Sequence, residues 1–136
     1  MADLSITAAS VLPGANGTFE TGAAGQTITA GQAVYKDPTT HLYLLADCNS
    51  AVAAARVPLG IALNGGAINQ PIKIQKSGLI TIGATLTAGV AYYLSGTAGA
   101  IRPVADNTTG DYPCLIGMAQ STTVLNIDFD ASPVAL

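Results

Sequence analysis

One segment of the chain occurs twice: Gly25-Gln-Thr-Ile-Thr-Ala-Gly-Gln-Ala-Val-Tyr35 returns as Gly83-Ala-Thr-Leu-Thr-Ala-Gly-Val-Ala-Tyr-Tyr93. Farther on, Leu42 to Asp47 aligns with Ile101 to Asp106 if the second turn carries one extra residue, and Leu59-Gly-Ile-Ala62 answers Ile116-Gly-Met-Ala119. Two copies are too few for a solenoid, which needs at least about three stacked units to bury a continuous core. The repeat therefore predicts two similar β units, residues 25–62 and 83–119, closing a single domain over 25–136.

Hydrophobic alternation supports strands throughout. Thr27-Ile-Thr29 runs into a bend at Ala30-Gly31, and Gln32 to Lys36 returns; the bend recurs at Ala88-Gly89, where glycine takes positive φ cheaply. Hairpin turns follow at residues 37–40 and 95–99. Ile72 and Ile74 alternate with Lys73 and Gln75, which predicts another hairpin turning at Lys76-Ser-Gly78 and returning through Leu79 to Ile82. The last pair is Leu115 to Gln120 with Val124 to Phe129, where Leu125, Ile127 and Phe129 share one face and Asn126, Asp128 and Asp130 the other. The one helix the sequence allows is Ser50 to Arg56, capped by Ser50 and stopped by Pro58. About ten short strands with Gly-rich turns imply an all-β fold, a compact β-sandwich or small β-barrel. Residues 1–24, punctuated by Pro13-Gly14, Asn16-Gly17 and Gly22, read as an extended N-terminal arm that pairs with its own sheet, a neighbouring protomer or a third party.

With 136 residues the chain can bury a core without staples. Its surface chemistry is sparse: 49% of residues are apolar and 10% charged, against about 25% charged in an average soluble domain. No stretch approaches the roughly 18 apolar residues of a membrane span, so a buried subunit interface accounts for the excess better than a bilayer does. Five basic residues scattered among eight acidic ones provide no stripe for nucleic-acid phosphates. The start Met1-Ala-Asp-Leu-Ser-Ile lacks a basic region ahead of an apolar one, the mark of a secretory signal, which favours a cytoplasmic product. Cys48 and Cys114 then read as free, largely buried thiols.

Catalytic constellations are not expected. His41 is the sole histidine and sits at a hairpin turn where the second copy has Gly99; a histidine base needs an orienting partner that no motif supplies, so it reads as a solvated turn residue. Asp128 and Asp130 project from one strand face and read as a solvated edge that resists aggregation. No phosphate-binding loop is present, and no cofactor or metal is expected. Tyr92 and Tyr93 read as core and interface aromatics.

The segment Gly83 to Ser95, preceded by Pro58-Leu-Gly-Ile-Ala-Leu-Asn64 and Gln70-Pro-Ile, resembles the capsid decoration, or cement, proteins of tailed bacteriophages. The likeness extends over the start Met1-Ala-Asp-Leu-Ser-Ile-Thr-Ala-Ala, the bend from Gln26 to Tyr35 and the closing Ile116-Gly-Met-Ala-x-Ser121. Tyr-Tyr-Leu-Ser before a Gly-rich turn also resembles modules of phage tail and fibre proteins. The first resemblance implies a homotrimer on the outer surface of the phage head, bridging major capsid subunits and stabilising them without chemistry. On that reading, Leu4 and Ile6 in the arm are expected at capsid contacts, and Tyr92 and Tyr93 at the trimer seam. The second implies a few copies per virion that bind a host receptor or glycan.

Overall fold

The computed structural model describes residues 3–136. The fold is all-β, with strands β1 (Leu12–Pro13), β2 (Thr18–Ala23), β3 (Ala33–Lys36), β4 (Tyr43–Leu45), β5 (Gly60–Ala62), β6 (Pro71–Thr81), β7 (Ala91–Leu94), β8 (Ile101–Pro103), β9 (Cys114–Ala119) and β10 (Val124–Ala131). They join in the order β4-β3-β5-β6-β10-β9-β7-β8, with β1 and β2 also paired to β6. Either side of the β6–β10 contact the order is a mirror of itself, and this is the repeat expressed as architecture.

The correspondence holds residue by residue. Ala33 pairs with Ile61 and Val34 with Gly60; in the second unit Ala91 pairs with Met118 and Tyr92 with Gly117. Gly31 and Gly89 both take positive φ, and their amides donate to Ala62 O and Ala119 O, each at 2.8 Å. The correspondence continues into the next strand, since Ala62 pairs with Ile74 as Ala119 pairs with Leu125. In one place the sequence alignment was out by one. Lys36 pairs with Tyr43 and Leu94 with Ile101, so the loops 37–42 and 95–100 are equal and no extra residue is needed. Residue similarity had matched Leu42 to Ile101, but a one-residue slip turns a strand's side chains to the opposite face, and it is Tyr43 that shares the buried position with Ile101.

In the first unit the sheet curls until its edges meet. β2 reaches β4 through a parallel bridge between Ala24 and Tyr43, and the Gly25 amide donates to Tyr43 O at 2.8 Å. The enclosed space is filled by Ala24, Ile28, Val34, Tyr43, Ala62, Ile72 and Ile74. In the second unit the arm occupies the corresponding seam: the Leu4 amide donates to Ile101 O and the Thr7 amide to Gly83 O, both at 2.8 Å. Leu86 is buried in this unit as Ile28 is in the first. A larger core, including Tyr35, Ile61, Ile80, Ile82, Leu94, Ile101, Ile116 and Leu125, joins the two units.

Three local expectations are corrected. Residues 71–81 form one strand and not a hairpin, because each half finds its own partners: 71–77 pair with β2, and 78–81 with β10. Gly78, at φ 86°, bends the strand without reversing it, and a Cβ there would lie 2.4 Å from Asn16 O. The helix expected over Ser50–Arg56 is a 3-10 turn at Ala53–Arg56; Ser50 instead accepts the Val52 amide in a local turn. The strand expected at residues 27–29 is a single bridge between Ile28 and Gly66. The hairpins β3–β4 and β7–β8, and the β9–β10 pair with its exposed Asn126, Asp128 and Asp130, form as expected.

Candidate interaction surface

The arm residues singled out from the sequence lie against the chain's own body. Leu4 and Ile6 are half-buried on the larger core, and a Cβ on Gly31 would lie 2.5 Å from the Ile6 side chain. β2, at the end of the arm, pairs with β6 of the same chain from Thr18 to Ala23. Met1, at the start of the arm, lies outside the described residues.

Tyr92 and Tyr93 point to opposite faces, as neighbours on a strand must. Tyr92 is buried inside the second unit, and its hydroxyl accepts the Thr87 amide at 2.9 Å. Tyr93 is half-buried on the outer face, paired with Arg102 and Leu115. Around it, Met118 is 51% exposed, and Asn126, Asp128 and Asp130 are exposed along β10. An aromatic ring, a thioether and carboxylates thus share one side of β7, β9 and β10.

A second surface lies on β2 and the first half of β6. Phe19 is 43% exposed, and the ammonium of Lys73 sits 4.7 Å from the centre of its ring, a cation–π contact. Near by, Glu20 accepts the Tyr43 hydroxyl and lies 3.6 Å from Lys36 Nζ and 3.8 Å from Lys76 Nζ. The Tyr43 hydrogen bond, helped by the two lysines, holds the Glu20 carboxyl below its usual range. Burial and the same carboxylate push the Tyr43 phenol up. At the corresponding inward positions the second unit has the apolar Ile80, Leu94 and Ile127.

The sequence reading missed the buried ion pair. Arg102 donates to Asp111, which also accepts the Thr108 amide and hydroxyl. Burial would raise the Asp111 carboxyl, but the donors from Thr108 and Arg102 together hold it below the usual range. Arg102 also reaches Cys48 Sγ at 3.4 Å. The available signal was Arg102 itself, a charge in a strand otherwise made of Ile101 and Pro103. The pair borders an open polar hollow of about 600 Å³ lined by Asp3, Ser95, Asp106 and Asn107. Among the described residues that line the hollow the cation is Arg102, and Asp111 neutralises its charge.

His41 is exposed in its turn at φ 61°, in the conformation Gly99 adopts at the matching place. Cys48 and Cys114 are free and buried; burial pushes their thiols up to about 11 and about 12. Among the described residues no group of three or more His, Cys, Asp or Glu side chains is placed to hold a metal ion, and no helix is long and apolar enough to cross a membrane. The described residues present two exposed faces, one carrying Met118 and carboxylates beside Tyr93, the other Phe19 and Lys73. No family model, curated protein or solved structure matches the chain.

Proposed function

We propose that this chain is a structural virion protein: a non-enzymatic decoration, or cement, protein that trimerises on the outer surface of a phage head and bridges major capsid subunits. The observation that carries the reading is the outer face of the second unit. There Met118 is 51% exposed with Tyr93 half-buried on the same side, whereas the matching Ile61 and Tyr35 of the first unit are buried. An exposed apolar face on a rigid scaffold is an interaction surface, and charge-poor composition suits a protein buried in an assembly. The resemblance in the repeat and in the segment 58–64 points the same way.

Each standard interface of roughly 1,600 Å² can hold tightly, and a trimer that makes three linked contacts gains further through effective concentration. With Leu4 and Ile6 packed on the protomer's own core, the arm offers a capsid its exposed residues, among them Leu12, 57% accessible on the short β1. Tyr93 replaces Tyr92 as the aromatic available to a trimer seam. The test is the copy number of the chain in purified virions, by quantitative mass spectrometry against the major capsid protein. A ratio near one to one is expected. A handful of copies would transfer the protein to the tail, and absence from virions would remove the structural role.

A further inference from the structure

We infer that copies of this chain bind one another head to tail, the outer face of the second unit of one copy seated on the β2–β6 face of the next. This deepens the decoration-protein reading and rests on it only for closure of the ring at three.

The internal repeat supplies the first argument. Ala33, Tyr35, Ile61 and Gln75 form the outer face of the first unit, and all four are buried, Ile61 completely and Tyr35 to 8% exposure. The same positions of the second unit are Ala91, Tyr93, Met118 and Asn126; Met118, at 51%, and Asn126 are exposed, and Ala91 and Tyr93 are half-buried. A long apolar side chain, Met118, is kept half exposed beside an aromatic, Tyr93, that the chain covers only in part. Scattered single apolar residues need no explanation, but a local pattern that is core in one copy and open in the other defines a face built to be covered.

Charge identifies the occupant. Asp128 and Asp130 edge the open face, so two such faces brought together would oppose carboxylates, which disfavours a symmetric pairing. The β2–β6 face offers the opposite sign and an apolar ring: Lys73 is exposed over the half-exposed Phe19 ring. Seating Met118 and Tyr93 on Phe19, with Lys73 against Asp128, pairs apolar with apolar and cation with anion. The two faces belong to different units, so the contact is heterologous and generates a ring where the rotation closes.

The test uses the full chain in solution, without capsid. Its mass is measured by light scattering after size-exclusion chromatography over a range of concentration and salt, for the wild type, Lys73→Glu, Asp128→Lys and the double variant. We expect a wild-type oligomer that weakens with added salt, dissociation constants raised about tenfold or more by each single reversal, and recovery in the double variant. All substituted side chains are exposed, so thermal melts recorded at concentrations where every chain is monomeric should be unchanged. Disulfide trapping gives the geometry: Phe19→Cys with Met118→Cys should link chains into oligomers, while Met118→Cys alone should not form dimers. A wild type that stays monomeric at millimolar concentration, charge reversals without effect, or efficient dimers of Met118→Cys alone would overturn the head-to-tail contact. The virion copy number is independent of these results, so either reading can fail without the other.

Discussion

Arg102 and Asp111 form an ion pair that the fold takes almost wholly out of water, with side chains 11% and 7% exposed. A buried pair costs desolvation that its hydrogen bonds must offset, and breaking it leaves a bare charge inside. Asp111→Asn is expected to cost about 3–5 kcal/mol, read from urea unfolding, whereas Asp128→Asn on the open face should change little. The same group sets an acid limit. Its carboxyl lies below the usual range in the fold, so its contribution is complete above the ordinary aspartate range and is lost as pH falls through the lowered folded value. The thiols set the alkaline limit with the opposite sign. Cys48 and Cys114 are pushed up to about 11 and about 12, while an unfolded thiol ionises near about 8.5. Stability should therefore decline as pH rises from the unfolded value toward the folded ones. Both cysteines should also resist a thiol reagent at neutral pH until the chain unfolds, and rapid labelling of the native protein would refute their burial.

At the scale of elements, two glycines at matching places permit the close strand approach on which each unit is built. A Cβ on Gly117 would lie 2.0 Å from Asn126 O, and one on Gly60 would lie 2.8 Å from Gln75 O. Gly117→Ala should prevent folding or strongly lower the melting temperature. Gly89→Ala, where φ is 83° but nothing lies within 4 Å, should cost only the strain of a left-handed residue, about 1–2 kcal/mol. The arm acts as a further element of the second unit, since its Leu4 and Thr7 amides fill the seam that β2 and β4 close directly in the first. Removing residues up to Thr7 should raise amide exchange in the β7–β8 hairpin while β3–β5 stay protected. Uniform loss of protection would instead make the arm a general stabiliser.

For the whole molecule, the decisive fact is that the two units share their larger core. Tyr35 and Ile61 of the first unit pack in the same cluster as Leu94, Ile101 and Leu125 of the second. β6 itself belongs to both, pairing with β2 along its first half and β10 along its second. Neither unit can open without exposing the other, so thermal unfolding should be a single transition with equal calorimetric and van't Hoff enthalpies. Two resolved transitions would mean that the repeat had kept its units independent.

The repeat, the hairpin turns at residues 37–40 and 95–99 and the outward run Asn126, Asp128, Asp130 were legible in the sequence, because local turn chemistry and alternation decide them. The all-β class follows from the same patterns. The turn read at Lys76-Ser-Gly78 was decided elsewhere: a glycine at positive φ serves a bend as well as a reversal, and only the separate partners of the two halves of β6 select the bend. Tyr92 and Tyr93 show the same division. Both were expected at a trimer seam, whereas strand alternation puts them on opposite faces, and which face is core depends on β9 and the closure of the second unit. Arg102 meets Asp111 across a loop that no spacing rule encodes. The sequence by itself determined two copies of one β unit; tertiary packing alone decided that one copy's outer face would be buried and the other's left open, because burial is a property of what lies across an interface.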